Sequence, residues 1–380
     1  MEDILLSVVI PTYNRYEYLK GCLEVTASIE SPQLEIVVQD NTADNSEILP
    51  IIAKLNDKRI KYYHVEEHIS VVDNCNLAVR HANGKYVFMI GDDDTICESM
   101  IDAAKFCLEN NIETCMALIP GFNWPGMTFA GEREPNFFVW QRATGEVEII
   151  NVPQVLEHAI NSAEGLSDDM PRVYHGMVSK TCLDRIYKKC GTYFPGPSPD
   201  MANATAVSLV VNKAVFIHDY LMVSGYGKKS ARGEGNRKEH FGVIGEKPWL
   251  PKDTEKRWYK NVPKVFSAET IFAQSMLDAL DRMGRKDLVK KYKYGRLYAM
   301  FFSHHPAARR YMVSFLLKKP YRMCWFIAGA FHRLRIRKRL LNNRITEYYY
   351  KNDSITSLEQ AQKMVNELRV KNSIEEYKWK

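Results

Sequence analysis

The chain has 380 residues, of which 46% are hydrophobic and 26% charged, a balance that excludes a disordered protein and predicts one large domain with a smaller appendage. The net charge of +6 is too small an average to indicate a partner, and no apolar run approaches the roughly 18 residues of a transmembrane helix. No signal-peptide pattern is present, and eight scattered cysteines without metal-binding spacing predict an intracellular, reduced protein with mostly buried thiols.

The first hundred residues predict alternating strands and helices. Apolar β-branched runs predict strands over 4–10, 34–40, 60–65 and 85–90, and helical spacing predicts helices over 16–28, 45–56 and 70–82. This alternation gives βαβ units and a mostly parallel sheet. Because ligands bind at the carboxyl ends of such strands, the polar segments 11–15, 39–46 and 91–94 are expected to meet at one ligand-binding edge.

Three adjacent carboxylates, Asp92, Asp93 and Asp94, directly follow the fourth predicted strand. They repel each other unless a cation lies among them, and oxygen ligands without histidine or thiolate partners suit Mg²⁺ or Mn²⁺. The alternative is a solvated turn that caps a helix starting near Thr95. Their position at the ligand-binding edge favours the metal.

Three segments in order resemble the successive motifs of the family 2 glycosyltransferases with the GT-A fold: "SVVIPTYNR", "LEIVVQDNTADNS" and "GKYVFMIGDDD". The resemblance covers about residues 5–100 and extends more loosely to about 225. It implies an α/β fold, with a mostly parallel, Rossmann-like sheet flanked by helices. It also implies a nucleotide-sugar donor, usually UDP-linked, and a Mn²⁺ or Mg²⁺ ion that bridges the donor diphosphate.

The resemblance assigns donor-binding roles to four residues outside the acidic run. Pro11 and Tyr13 match positions that line the nucleobase pocket, and Asp40 matches the acceptor of the base N3–H; a turn residue is the alternative for Asp40. Asn76 matches an asparagine in the helix before the fourth strand. Cys75 replaces the arginine that often precedes it, which puts one diphosphate or ribose contact in doubt.

The acidic run departs from the family pattern, because Gly91 stands where an aspartate is usual. In the matching register Asp93 is the main metal ligand, Asp94 lies close by and Asp92 faces the ribose. If the pairing slips by one residue, Asp92 and Asp94 form the Asp-x-Asp pair.

The middle of the chain is expected to supply the acceptor side. Strands are predicted over 116–124 and 172–180, a helix over 181–190, and a Pro- and Gly-rich loop before a helix that begins near Met201. In the family, an aspartate at such a loop-to-helix junction is the catalytic base, which assigns this role to Asp200. A helix N-cap is the alternative, and the two roles can coexist. His175 and His218 are further candidates with structural alternatives.

The segment 224–240 is rich in Gly, Ser, Lys and Arg. It is either a lid that brings Lys228 and Arg232 over the diphosphate or a solvated linker. We therefore predict a catalytic domain over 1–225, a mobile loop or linker over 226–260, and a helical C-terminal region over 261–380.

The C-terminal region contains helical patterns over 267–284, 286–302 and 357–370. The segment 318–339 has eight Lys or Arg and no acid, with Trp325, Phe326 and Phe331 among them. This composition suits an interfacial helix on anionic lipid, although a solvated face is an alternative. No recognised nucleic-acid-binding fold accompanies the cluster, so we expect no nucleic-acid partner.

These features predict a cytoplasmic enzyme, peripheral on the inner face of the cell membrane. It would transfer a sugar, with inversion, from a nucleotide donor to a glycan or lipid-linked acceptor of a surface polysaccharide such as an O-antigen. A nucleotidyltransferase is an alternative, but "IPTYNR" lacks the expected Gly-rich phosphate loop. A nucleotide-sugar-binding protein without catalysis is the other. The sequence does not identify the sugar, the acceptor or the oligomeric state.

Overall fold

The computed structural model describes residues 3–127, 135–163, 165–230, 241–342, 347–374 and 379, without the side chains of 336–342. The strands are β1 (Leu6–Thr12), β2 (Leu34–Asp40), β3 (Ile60–His64), β4 (Tyr86–Met89), β5 (Thr95–Ile96), β6 (Thr114–Leu118), β7 (Gly121–Asn123), β8 (Phe137–Val139), β9 (Val147–Ile149), β10 (Met177–Ser179), β11 (Ala214–Tyr220), β12 (Met222–Tyr226) and β13 (Tyr350–Asn352). The helices are α1 (Tyr16–Ala27), α2 (Leu49–Leu55), α3 (Val71–His81), α4 (Ser99–Glu109), α5 (Val152–Ser162), α6 (Lys180–Cys190), α7 (Pro199–Ser208), α8 (Ala268–Arg282), α9 (Lys286–Lys291), α10 (Tyr294–His304), α11 (Arg309–Leu317), α12 (Pro320–Asn342) and α13 (Leu358–Lys371).

The main sheet has eight strands in the order β3-β2-β1-β4-β10-β6-β11-β9. Strands β3, β2, β1 and β4 are parallel, while β10 runs antiparallel between β4 and β6. A second sheet has the order β13-β8-β7-β12-β5. The predicted α/β architecture with a mostly parallel N-terminal sheet is therefore confirmed.

Strand β1 is buried on both faces, which explains its continuous apolar sequence. Val8 and Ile10 belong to the hydrophobic cluster that includes α1, whereas Val9 belongs to the cluster that includes α3. Alternate residues of a strand point to opposite faces, so one short segment anchors helices on both sides of the sheet. This packing fixes the strand end where Thr12 and Arg15 lie.

The predicted strand over 172–180 is wrong for its first half, since only Met177–Ser179 is a strand. The Arg172 side chain donates hydrogen bonds to the backbone carbonyls of Ser167, Met170 and Tyr174. His175 has a left-handed backbone, with φ of 58°. These features hold 172–176 as a compact turn beside β4.

The C-terminal residues divide between two hydrophobic cores. Helices α8, α10 and α11 pack in a second cluster with α5 and α7. Strand β13 then pairs with β8, and α13 and Trp379 pack in the cluster of the main sheet. The helical character of this region agrees with the sequence, and the predicted domain boundaries stay a prediction. Over the described residues, no helix combines the length and apolarity needed to cross a bilayer.

All eight cysteines are free thiols, six of them buried. This confirms the expectation that they serve mostly as small apolar core groups.

Candidate functional site

The acidic cluster, Asp92, Asp93 and Asp94, lies just beyond the end of β4, beside the end of β1. Its members are almost completely buried, between 0% and 3% exposed. The guanidinium of Arg15 lies between two of them, with Nε 3.1 Å from Asp92 Oδ1 and Nη2 2.7 Å from Asp93 Oδ2. Thr12 Oγ1 donates to Asp92 Oδ2 at 2.6 Å. The helix predicted near Thr95 instead begins at Ser99, so the cluster does not cap a helix.

Backbone amides hold the other cluster oxygens. Gly225 N–H donates to Asp94 Oδ1 at 2.7 Å, and Gly227 N–H donates to Asp93 Oδ2 at 3.0 Å. A Cβ on Gly225 would lie 1.7 Å from the carbonyl oxygen of Asp93, so only glycine allows β12 to approach this closely. The start of the predicted mobile loop is therefore tied to the acidic cluster.

Gly91 occupies the position where the family usually has an aspartate. Its N–H donates to Asp94 Oδ2 at 2.7 Å. A Cβ at this position would lie 2.8 Å from Asp93 Oδ1 and 3.1 Å from Asp94 Oδ2. The departure from the family pattern thus makes room for the carboxylates that follow.

The acidic cluster is where the sequence predicts a divalent cation. Burial and mutual repulsion raise the pKa of Asp92 and of Asp93 even though Arg15 acts in the opposite direction. The described side chains form no group of three or more His, Cys, Asp or Glu ligands. A site with few carboxylate ligands matches Mg²⁺, which keeps waters and binds substrate phosphates, and oxygen ligands equally suit Mn²⁺.

Replacing Arg15 with Met is expected to destabilise the protein in EDTA. The change leaves two buried carboxylates without their cation, a loss of roughly 3–5 kcal/mol in the free energy of unfolding. Denaturant unfolding measures it, and Mn²⁺ should recover part of the loss. Arg285→Met, which removes the exposed pair with Asp287, is the control, with an expected cost of about 0–1 kcal/mol. Equal losses in the two variants would show that Arg15 does not compensate the cluster.

Asp200 is the second residue of α7 and lies across from the acidic cluster. The N-cap of α7 is Ser198, and no side chain caps this helix end, so the predicted alternative that Asp200 is the cap is wrong. Among the described residues, none donates a hydrogen bond to its carboxylate. Burial raises the pKa of Asp200, and His175 and Arg172 partly oppose this. A carboxylate with a raised pKa and free lone pairs is suited to accept a proton.

His175 connects the two acidic groups. Its Nε2 lies 2.7 Å from Asp94 Oδ2, and its ring stacks on Tyr174 at 3.9 Å. The compact turn at 172–176 sets the position of His175, which interacts with both Asp94 and Asp200. His175, a further candidate from the sequence, lines the same cavity as Asp200.

A polar cavity of about 650 Å³ joins these groups. Its walls include charged side chains from the acidic cluster side and from the opposite side, and aromatic side chains at the rim. The members used below are Arg15, Asp93, Asp168, Arg172, His175 and Asp200. The cavity is therefore lined by carboxylates that come from different elements, Asp93 after β4 and Asp200 in α7.

Asp40 is completely buried, away from this cavity. Its Oδ2 accepts hydrogen bonds from the hydroxyls of Tyr16 at 2.6 Å and Tyr62 at 2.8 Å, and its Oδ1 accepts one from Thr42 N–H. Burial raises the pKa of both tyrosines. The predicted contact between Asp40 and a nucleobase finds no support in this placement, which matches the turn alternative together with a buried hydrogen-bond network.

Replacing Asp40 with Ala is expected to lower the free energy of unfolding by at least about 1–3 kcal/mol, because two buried hydroxyls lose their acceptor. Chemical denaturation measures this, with the exposed neighbour Asp44→Ala as control. Calorimetric titration with UDP then tests the donor role separately. Weakened UDP binding at unchanged stability would contradict the structural role of Asp40.

Asn76 lies away from the acidic cluster. Its Oδ1 accepts hydrogen bonds from Thr192 Oγ1 and Tyr193 N–H, both at 2.9 Å, so it anchors the loop after α6. The neighbouring Asn74 is buried, and its side-chain amide donates to the Thr12 carbonyl at 3.2 Å. The assignment of Asn76 to the donor therefore finds no geometric support.

The remaining predicted residues lie in different parts of the structure. Pro11 is partly exposed in β1, and Tyr13 is 46% exposed, with its ring 5.3 Å from that of His68. Lys228 N–H donates to the Tyr18 hydroxyl at 3.1 Å. His218 is in β11, away from the acidic cluster. Its Nε2 lies 3.5 Å from Oε2 of Glu148, which is in the edge strand β9. Arg232 lies outside the described residues.

Two arginines of the site escape prediction from the sequence. Arg15 ends the "PTYNR" segment at the ligand-binding edge, and three adjacent carboxylates demand a nearby cation, so a signal for it existed. Arg172 bonds only backbone carbonyls, a tertiary role without a sequence pattern.

The model of glycosyl transferase family 2 matches residues 7–103 of this chain. This segment runs from β1 into α4 and contains Arg15 and the acidic cluster. Glycosyltransferase GlyG of Streptococcus pneumoniae is 24% identical over 297 residues, which cover 76% of this chain and 88% of that protein.

Two shorter matches are to larger proteins. The poly(ribitol-phosphate) β-N-acetylglucosaminyltransferase TarS of Staphylococcus aureus is 30% identical over 127 residues, 32% of this chain and 22% of TarS. The GalNAc(5)-diNAcBac-PP-undecaprenol β-1,3-glucosyltransferase of Campylobacter jejuni is 30% identical over 93 residues, 24% of this chain and 30% of that protein. The matched segments are thus less than a third of either relative.

The crystal structure of TarS residues 1–349 with UDP-GlcNAc has a TM-score of 0.50 to this chain at 17% identity. The match covers 84% of this chain and 89% of that one. At this identity the likeness establishes the fold alone. Residues 7–103 therefore match glycosyl transferase family 2, and the chain shares its fold with TarS residues 1–349, the GT-A fold that the sequence predicts.

Proposed function

We propose that this protein transfers a sugar, with inversion, from a UDP-sugar to a hydroxyl of a glycan or lipid-linked acceptor in surface polysaccharide biosynthesis. The observation that carries the proposal is that Asp93 and Asp200 line the same cavity from different elements. Asp93 lies in the acidic cluster, which is the proposed site of the metal and the donor diphosphate. The other carboxylate, Asp200, is the proposed base for the acceptor hydroxyl.

The relatives' names support the donor and the stereochemistry. TarS has been crystallised with UDP-GlcNAc, and the names of TarS and of the Campylobacter enzyme both specify β-linked products. UDP-GlcNAc carries its sugar in the α configuration, so a β-linked product requires inversion. We extend the UDP-sugar donor and the inverting course to this chain on these grounds.

In the proposed reaction Asp200 accepts the proton of the acceptor hydroxyl as the new glycosidic bond forms. Its raised pKa makes it a stronger base than an exposed aspartate. Arg172 and His175 keep its charged form accessible. In the acidic cluster, Arg15 orients Asp92 and Asp93, while the Gly225 amide and His175 fix Asp94.

Asp93 and Asp94 would hold a Mn²⁺ or Mg²⁺ ion, which when bound neutralises the leaving diphosphate. Asp93 is the better placed of the two, because it lines the cavity and Asp94 does not. Asp92 is engaged by Thr12 and Arg15, which suits a supporting role.

Incubation with a panel of UDP-sugars, Mn²⁺ and simple glycoside acceptors tests the proposal. Release of free UDP that depends on one donor, and rises with acceptor, is the expected result. A protein that binds UDP-sugars by thermal shift but releases no UDP would be a binding protein without catalysis. Release of diphosphate from a nucleoside triphosphate would indicate a nucleotidyltransferase.

We also propose that the protein works on the cytoplasmic face of a membrane through α11 and α12. These helices expose apolar side chains, including Leu317, which is 67% exposed, and Phe331, which is 64% exposed. Lys318, Lys319 and Arg335 are exposed among them. An exposed surface of this composition suits anionic lipid headgroups.

Replacing Lys318, Lys319 and Arg335 with Gln is expected to release the protein from anionic vesicles, with each cation contributing on the order of 1 kcal/mol. Arg333 is left intact because it contacts His304 at 2.7 Å. Cosedimentation measures binding, and exposed Lys54, Lys58 and Lys61 replaced with Gln form the control. UDP release should be unchanged in both variants. Wild-type protein that ignores anionic vesicles at low salt would contradict the membrane role.

A further inference from the structure

A second cavity, of about 880 Å³, lies beside the start of α7. Its walls come from the segment after residue 240, the start of α8, and the end of α10 with the residues 305–308 that follow it. Aromatic and aliphatic side chains predominate in its lining, chief among them Phe241, Trp249, Leu250, Phe266, Ile271 and Phe272. We call it the apolar cavity.

The apolar cavity meets the polar cavity at one residue, Asp200, which lines both. A molecule in the apolar cavity would therefore lie beside the candidate base. The Pro- and Ser-containing approach to α7, residues 197–199, forms part of the same wall. Asp200 is thus the residue at which an acceptor in the apolar cavity would meet the candidate base.

The chemistry of the walls indicates the class of ligand. The carboxylate of Glu269 is already engaged by His304 Nδ1 at 2.7 Å and His305 Nε2 at 2.9 Å. These three ionisable residues of the lining thus bond to each other rather than offering free partners to sugar hydroxyls. A site lined mainly by aromatic and aliphatic groups favours a hydrocarbon ligand over a glycan.

We propose that the apolar cavity binds the hydrocarbon chain of a lipid-linked acceptor and so delivers the attached sugar hydroxyl to Asp200. This inference rests on the proposed glycosyl transfer. The wall of the cavity at 306–308 leads directly into α11. Helices α11 and α12, which present the exposed apolar and basic side chains described above, directly follow this wall in the chain, so a lipid surface that binds them is the proposed source of the hydrocarbon chain.

Photolabelling tests the inference with hexadecyl phosphate that carries a diazirine at the end of its chain. After irradiation of the full-length protein, labelled peptides are mapped by mass spectrometry. Labels are expected on the lining segments around Trp249 and Phe272, and unlabelled hexadecyl phosphate should compete. Labels confined to the exposed faces of α11 and α12 would indicate lipid contact alone and would overturn the proposal.

Filling the cavity provides the matched variants. Ala268 and Ala307 are exposed residues of the lining, and either one replaced with Trp should lower labelling of the cavity at least tenfold. Ala53→Trp, on an exposed position of α2, should leave labelling unchanged. Two lining positions keep the test valid if one variant folds poorly. Undiminished labelling in both folded variants would overturn the proposal.

UDP binding separates this inference from the proposed function. Calorimetric titration should give the same UDP affinity in the wild type and in all three variants, because the donor occupies the polar cavity. Labelling of the apolar cavity in a protein that releases no UDP from any donor would refute the proposed function and leave the lipid site standing. UDP release without labelling of the apolar cavity would support the proposed function and refute the lipid site.

Discussion

Replacing Asp200 with Asn is expected to lower turnover by roughly 10²-fold or more, the usual scale for general base catalysis. The change keeps the size of the side chain and removes its ability to accept a proton. Because Asp200 caps no helix and accepts no hydrogen bond from a described residue, stability and UDP affinity should stay nearly unchanged. Initial rates with a saturating donor, with thermal unfolding and calorimetry on the same samples, measure the three quantities.

The pH profile provides a second readout for Asp200. The wild-type rate should fall as the pH drops through a pKa raised above the ordinary range of aspartate, since the protonated carboxyl cannot accept a proton. The residual rate of Asp200→Asn should lack this limb.

Asp168 is the matched control for Asp200, because it is exposed and lines the same cavity. Asp168→Asn should retain most turnover. If Asp168→Asn loses the activity and Asp200→Asn keeps it, the base assignment moves to Asp168.

Removal of the divalent cation, or replacement of Asp93 with Asn, is expected to lower turnover by on the order of 10²–10³-fold. A metal at a leaving diphosphate supplies several kcal/mol of charge stabilisation, and each 1.36 kcal/mol corresponds to a factor of about ten. Activity in EDTA and its recovery with Mn²⁺ or Mg²⁺ measure the dependence. The exposed Asp44→Asn, on the same edge of the sheet, is the control.

The stability of the same variants separates a metal role from a folding role. Asp92 and Asp93 have raised pKa values in the folded chain, so their charged forms cost stability. In EDTA the unfolding temperature should therefore fall as the pH rises through these pKa values, and Asp93→Asn should flatten this fall. Added Mn²⁺ should stabilise the wild type more than the variant. Full wild-type activity in EDTA would contradict the metal assignment.

The ligand-binding edge was predictable because its signals are local. An apolar run that ends in Asp92, Asp93 and Asp94 predicts both a buried strand and a charged strand end. The loop-to-helix transition before Met201 likewise predicts the position of Asp200. In both cases neighbouring residues determine where the backbone turns and which side chains follow.

The contacts that the sequence does not predict involve partners that are distant in sequence. Asp40 is enclosed by tyrosine hydroxyls 22 and 24 residues away, and Asn76 by a loop more than 100 residues away. The strand predicted from Arg172 is interrupted by that arginine's own bonds to backbone carbonyls. The pattern of α13 predicts a helix, but not that it returns to pack on the core of the main sheet.

The anomeric configuration of the product tests the central claim most directly. Proton NMR during turnover of an α-linked UDP-sugar reports the first product formed, before mutarotation or hydrolysis. We expect a β-linked product alone, since a single displacement with Asp200 as base inverts the anomeric carbon of the donor sugar. An α-linked product would mean retention of configuration, which a single back-side displacement with Asp200 as base cannot give, and would contradict the assignment of Asp200.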